Sequence, residues 1–253
     1  MSQMCVFDNQ LCFEVAGDLE KYRVESIFEK EPETIAWIDD CVKKSQNTGA
    51  GKSVFFDIGA NIGIYTLYAA HQLQSLSVYA FEPVSNNFNA LQKNIWANDY
   101  KNVYPFNLAL AEKNGLVSLF LSDLRVGNSG AQIRQPVNEL GQAYESLREE
   151  KILSCSLDSL IQDNGFPVPS FIKIDVDGHE TDILNGMLQT LSNNTLQSML
   201  IEFNNNKEFT YWQSRLLNLG LVVDHSFDQV PNHSGIRRQN KGAAARNYTF
   251  KRI

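Results

Sequence analysis

From Ser53 onward, short runs of consecutive apolar residues alternate with longer stretches whose apolar positions recur every three or four residues. That alternation predicts strands joined by crossover helices in a parallel sheet. Ser53–Asp57 reads as the first strand, and Ile62–Leu73 as a helix with Ile64, Leu67, Tyr68 and His71 at helical spacing. Ser77–Phe81 is the second strand, with Ser85 capping a helix marked by Phe88, Leu91 and Ile95. Asn102–Phe106 is the third, and Asn114-Gly115 between Leu108–Ala111 and Leu116–Leu121 predicts a two-residue hairpin that adds strands at one sheet edge. Phe171–Val176 is a fourth parallel strand, followed by a helix with Ile183, Leu184, Met187, Leu188 and Leu191 on one face; Met199–Phe203 is a fifth. Leu221–Asp224 and Tyr248–Lys251 close the sheet as an antiparallel pair. The expected fold is therefore α/β, with a seven-stranded, mostly parallel sheet.

Three regions lie outside this pattern. Residues 1–50 carry scattered apolar positions and one helix around Thr34–Val42, which predicts a small amino-terminal cap on a main domain of residues 51–253. Ser122–Lys151 is polar and glycine-containing, a lid or a disordered loop. Gln229–Asn247 gathers Arg237, Arg238, Lys241 and Arg246, either on a solvated surface loop or on a lid over an anionic substrate.

Composition narrows the classes. A chain of 253 residues with 43% hydrophobic and 20% charged residues is globular, and no window approaches the roughly 20 apolar residues of a membrane span. The first residues lack the basic start and apolar run of a signal peptide, so the expected location is cytoplasmic. Cys5, Cys12, Cys41 and Cys155 are scattered and read as reduced thiols, with neither a disulfide framework nor a zinc site. With 22 basic against 29 acidic side chains, the net charge of −7 disfavours nucleic acid as a partner.

The chemistry starts at the first strand-to-helix turn, where open parallel sheets bind ligands. Asp57-Ile58-Gly59-Ala60-Asn61-Ile62-Gly63 spaces its glycines as D-x-G-x-x-x-G, not as the G-x-G-x-x-G of a pyrophosphate cradle. Asp57 either receives an ammonium or caps the turn. Glu82, 25 residues later at the end of the second strand, is placed to accept from two ribose hydroxyls. Together they predict a nucleoside without a diphosphate. Near the fourth and fifth strand ends, Asp175, His179 and Glu202 are the catalytic candidates. His179 titrates near neutrality and suits a general base, with Asp175 orienting it or taking the proton itself. Glu202 either meets substrate or fixes the tautomer of His179. The alternative for His179 is a locally bonded helix-start residue, and for Glu180 a favourable charge at a helix amino end. A divalent ion on Asp175, Glu180 and Glu202 has suitable oxygen ligands but no metal-specific spacing, so no metal is expected.

Four segments occurring in order, Asp57–Gly63, Phe81-Glu82-Pro83, Ser156-Leu157-Asp158-Ser159-Leu160 and Ile172–Glu180, resemble the FkbM family of methyltransferases. The similarity runs from Glu31-Pro32-Glu33-Thr34 to Leu200-Ile201-Glu202-Phe203; Asp177 departs from it, where the family more often has Glu. The resemblance implies a class I methyltransferase fold of Rossmann-like type, S-adenosylmethionine as cofactor, and O-methylation of a sugar or small natural product. It puts Asp57, Gly59, Ala60, Asn61, Gly63, Tyr65, Glu82 and Pro83 at the cofactor, Asn107 and Ala109 beside the adenine, and Asp175 facing the methyl group. The basic cluster favours an anionic acceptor. Two other classes stay open, a nicotinamide-dependent oxidoreductase and a non-catalytic S-adenosylmethionine-binding module.

Overall fold

Alternate residues of each central strand point to opposite faces of the sheet, and both faces are covered. In the computed structural model, which describes residues 2–8, 10–47, 53–137, 142–231 and 246–253, Phe55 and Phe171 enter one core and Phe56 and Ile172 the other. The chain opens with a hairpin of β1 (Ser2–Val6) and β2 (Leu11–Val15), then α1 (Asp18–Glu25) and α2 (Pro32–Asn47). The crossover units follow: β3 (Val54–Ile58), α3 (Ile64–Gln72), β4 (Ser77–Phe81), α4 (Ser85–Ala97) and β5 (Val103–Phe106). After β6 (Ala109–Leu110), β7 (Gly115–Leu121), β8 (Gln132–Ile133) and β9 (Arg148–Cys155) come α5 (Leu157–Asn164), β10 (Phe171–Ile174), α6 (Glu180–Asn185) and α7 (Leu188–Ser192). The chain ends with β11 (Ser198–Phe203), α8 (Asn206–Asn218), β12 (Leu221–Val223) and β13 (Arg246–Arg252).

The central sheet runs β12-β13-β11-β10-β3-β4-β5, with β13 antiparallel to both neighbours and the other pairs parallel. Strand order reverses between β3 and β10, which places the ligand crevice at their carboxyl ends. Among the described residues, no helix is long and apolar enough to cross a membrane.

Four expectations are corrected. No hairpin joins the segments flanking Asn114-Gly115: β6 pairs with β9 in parallel and β7 pairs with β9 antiparallel, so they form a separate sheet of order β6-β9-β7-β8. Asn114 is spent elsewhere, its Oδ1 accepting from the Ser156 amide and the Ser159 hydroxyl where α5 starts. Ser122–Lys151 is accordingly more than a lid or a disordered loop, since it supplies β8 and the first half of β9. Ser85 does not cap α4; its hydroxyl donates to Glu150 on β9. Arg237, Arg238 and Lys241 lie outside the described residues, while Arg246 begins β13 and stacks on Tyr248.

The fourth correction concerns the thiols. Cys5 and Cys12 are directly opposed in the β1–β2 register and form a disulfide, whereas Cys41 and Cys155 are free. Seven residues apart, they meet only because the hairpin folds antiparallel, so neither motif spacing nor short-range proximity announces the bond. The hairpin is tied to α4 by Glu14 N–H donating to Asn94 (2.7 Å) and Cys12 N–H to Asn98 (2.8 Å), and Leu11, Phe13 and Trp37 share one core with Phe55 and Leu91. Thiol titration of the denatured, unreduced protein is expected to find the two thiols of Cys41 and Cys155 rather than four. Reduction is expected to lower stability by on the order of 2 kcal/mol for so short a loop.

Candidate active site

The β3–α3 turn is built against the loop that follows β10. Gly59 has φ +83°, and a Cβ there would lie 2.0 Å from the Asp175 carbonyl oxygen, so only glycine permits the approach. Gly63, at φ +94°, starts α3 and shapes the turn. Asn61 takes the left-handed conformation between them, and its backbone N–H donates to Glu82 Oε2 at 2.7 Å. Val84 N–H donates to Oε1 at 2.8 Å, so both oxygens of Glu82 are fixed at the end of β4 with lone pairs still available. Burial, partly opposed by these two amides, pushes its carboxyl up to about 7.

A titration prediction follows, because the ionised form is the one that accepts from two hydroxyls. Affinity for S-adenosylhomocysteine is expected to rise about tenfold between pH 6 and pH 8; a flat calorimetric profile would remove Glu82 from the ribose role. Without ligand the sign reverses. The raised folded pKa stabilises the fold fully below the unfolded value of about 4.3, and that contribution is lost as pH rises through 7.

Beneath the turn lies a buried charge cluster that sequence reasoning missed. Lys173, 1% exposed, sits in the otherwise apolar β10 with Nζ 3.0 Å from Asp175 and 3.5 Å from Asp57. It also lies 5.0 Å from the centre of the Tyr65 ring, whose hydroxyl donates to Glu31 at 2.8 Å. Asp57 is 1% exposed, with Oδ2 receiving the Thr66 hydroxyl at 2.6 Å. It braces the floor under the turn. One polar residue inside the run Phe171–Ile174 was the available signal.

Asp175 is the acid that does line the crevice. Burial alone would raise its pKa, but the charges of Lys173 and Lys30 and a hydrogen bond from Glu202 hold it ionised, below the usual carboxylate range. Burial and the charge of Asp175 push Glu202 upward, which favours the proton on Glu202 over Asp175. His179 is not part of this pair. Its Nε2 accepts the Ile133 amide of β8 at 3.1 Å, and burial lowers its pKa, leaving a neutral ring whose acceptor nitrogen is occupied. Ile133 therefore fixes the tautomer, which was one of the two roles open to Glu202. Asn107 donates to the Glu82 and Pro83 carbonyls at 2.8 and 3.1 Å, while Ala109 lines the crevice. Glu180 is fully buried below the turn after β10, and its burial raises it to about 8. Among the described residues, no group of three or more His, Cys, Asp or Glu side chains is arranged to hold a metal ion.

Residues 127–134 cross the crevice as a strap. Asn128 O accepts from Asn61 and Asn87, Gly127 O from Arg23, Asp177 Oδ2 from Gly130 N–H and Asp177 O from Gln132. Under it lies an open cleft of about 680 Å³ that reaches Glu82, Asp175 and Glu202. Beside the cleft is a largely apolar slot of about 390 Å³ between Phe81, Pro83, Ala109, Ile133 and His179. A pocket of about 410 Å³ faces Ala60, Asn61 and Tyr65. A fixed acid for ribose hydroxyls, an apolar slot for a purine, a glycine cradle and an ionised acid for a cationic centre fit S-adenosylmethionine. Pairing with a diphosphate has no such cradle here.

Comparison with known proteins agrees. A family profile described as methyltransferase FkbM domain matches residues 57–238. Hexuronic acid methyltransferase AglP of Haloferax volcanii is 25% identical over 181 residues, covering 70% of this chain and 68% of the relative. Methyltransferase 1 of Beauveria bassiana is 24% identical over 145 residues, covering 53% of this chain and 58% of the relative. Among solved structures, precorrin-6y C5,15-methyltransferase of Geobacter metallireducens superposes with a TM-score of 0.51 at 11% identity, covering 95% and 94% of the two chains. A SAM-dependent methyltransferase of Agrobacterium tumefaciens gives 0.50 at 7% identity, covering 87% of this chain and 62% of that one. These likenesses establish a class I methyltransferase fold.

Proposed function

The chain belongs to the FkbM methyltransferase family, and from that premise we propose that it transfers a methyl group from S-adenosylmethionine to a hydroxyl of a carbohydrate. The observation that carries the reading is the Asp175–Glu202 pair, an ionised and a protonated carboxyl hydrogen-bonded to each other on the wall of the cleft. The relative from Haloferax volcanii, named for a hexuronic acid, supports the choice of a sugar.

When bound, S-adenosylmethionine supplies an electrophilic methyl group on a sulfonium. The protein's work is to hold both reactants in line and to take the acceptor's proton. Glu82 accepts from the ribose hydroxyls, and the slot formed by Phe81, Pro83 and Ala109 encloses the purine. Asp175 accepts a hydrogen bond from the acceptor hydroxyl. As the methyl group moved to the hydroxyl oxygen, the hydroxyl proton would pass to Asp175, which would give a methyl ether and a thioether and leave the carboxyl pair with two protons, one of which would return to water. Glu202 tunes this step by donating to Asp175.

The test is labelled methyl transfer onto a panel of monosaccharides, uronic acids and glycosides, with a labelled ether as the expected product. Glu202→Gln keeps a donor beside Asp175 but cannot exchange its proton. It is expected to lower kcat by about 10²-fold with unchanged S-adenosylhomocysteine affinity. Unaltered kcat in this variant would remove Glu202 from the proton transfer, and tight cofactor binding without transfer to any hydroxyl would favour a binding module.

A further inference from the structure

We infer that Arg23 and Lys30, both from the amino-terminal segment, form a carboxylate-binding subsite at the mouth of the cleft. The inference rests on the methyltransferase reading and adds a ligand group to it. Both side chains line the large cleft and also the smaller pocket beside Asn61 and Tyr65. They come from the end of α1 and the loop before α2, and their charges are close enough that Arg23 disfavours the charged form of Lys30.

Their donors are not used up by the protein. Arg23 donates from Nε to the Gly127 carbonyl, and its two terminal nitrogens have no protein partner among the described residues. Lys30 is partly exposed and spends one contact on Glu31, at 2.8 Å. The acids on the other walls have partners of their own, Glu82 two amides, Asp175 Lys173 and Glu202, and Asp177 Gly130, with the charge of Lys30 also favouring ionised Asp175 and that of Arg23 ionised Glu82. A guanidinium whose terminal nitrogens are unpartnered among the described residues and a partly exposed ammonium ion-paired with Glu31 face one cavity, in a chain of net charge −7, and mark the place where an anion binds. The free edge of a guanidinium beside an ammonium matches a carboxylate, which accepts from both at once.

Two molecules of the proposed reaction can bring that carboxylate: the aminoacyl end of the cofactor and a uronic acid acceptor. Calorimetry separates them. S-adenosylhomocysteine and 5′-methylthioadenosine, which lacks the aminoacyl end, are titrated into wild type, Arg23→Gln, Arg23→Lys, Lys30→Gln and Lys30→Arg. D-glucuronate and D-glucose are titrated into the same proteins saturated with S-adenosylhomocysteine. If the cofactor supplies the group, each Gln variant weakens S-adenosylhomocysteine by about tenfold, leaves methylthioadenosine unchanged, and is restored by the charge-keeping variant. If the acceptor supplies it, both nucleosides bind as before, and glucuronate binding, absent for glucose, is lost in the Gln variants.

Equal weakening of both nucleosides in Arg23→Gln, with Lys30→Gln unaffected, means that Arg23 acts only through Gly127 and the strap, and overturns the subsite. So do Gln variants indistinguishable from wild type toward all four ligands. A wild-type protein that binds neither nucleoside overturns the methyltransferase reading itself and the subsite with it.

Discussion

Replacing Lys173 with methionine is expected to destabilise the fold by about 3–5 kcal/mol, because it strands two carboxylates beneath the cleft without their cation. Lys173 Nζ sits between Asp57 and Asp175; Lys173 and Asp57 are held away from bulk water, while the Asp175 side chain, 27% exposed, opens on the cleft. Methionine fills similar volume, so the loss reports charge rather than a cavity. The pH dependence separates it from a generic core defect. In wild type the folded pKa of Asp175 is depressed, so its stabilising contribution is present above the unfolded value of about 3.9 and lost only as pH falls below it. Without Lys173, burial pushes the folded pKa of Asp175 upward, and the stabilisation is lost as pH rises instead. Urea midpoints should therefore show the largest gap between variant and wild type at pH 7 and a narrower gap at pH 5. A gap that does not change with pH would mean that the lysine acts by packing alone.

Gly59→Ala is expected to abolish cofactor binding while leaving a folded protein of reduced stability. Two costs combine there. The residue occupies φ +83°, where a side chain costs about 1–2 kcal/mol, and the added methyl would lie 2.0 Å from the Asp175 carbonyl. Relief requires the β3–α3 turn and the loop after β10 to move apart, and those two segments carry the Asn61 amide that fixes Glu82 and the Asp175 side chain itself. Circular dichroism should show retained secondary structure, and S-adenosylhomocysteine should give no measurable heat. Wild-type affinity in this variant would show that the turn is not the cradle.

The elements that sequence made visible are those whose pattern is local. Each buried strand is a run of apolar residues between helical periods, and the seven strands of the central sheet and the turn at Asp57–Gly63 are read from such runs. Glu82 is readable for the same reason, because a strand end and a spacing determine it. What was not readable depends on partners distant in the chain. Ile133 occupies the acceptor nitrogen of His179 from 46 residues away, so a residue of suitable pKa is turned into a tether for β8. Asn114 satisfies the amide of Ser156 rather than closing a hairpin. The ion pair of Asp57 with Lys173 is set by the pairing of two strands, which puts the two residues in register. Arg23 and Lys30 carry no periodic signal at all, and only the packing of the amino-terminal segment on the sheet brings them to the cleft.

The proposed S-adenosylmethionine site, in the crevice at the carboxyl ends of β3, β4 and β10, depends on Glu82, and calorimetric titration of wild type and Glu82→Ala with S-adenosylhomocysteine, with NAD as the comparison ligand, tests it. Saturable one-to-one binding to wild type is expected, weakened more than about tenfold in the variant by the loss of a bidentate charged acceptor, with no heat from NAD. Undiminished affinity in Glu82→Ala, or binding of NAD in place of the thioether, would contradict it.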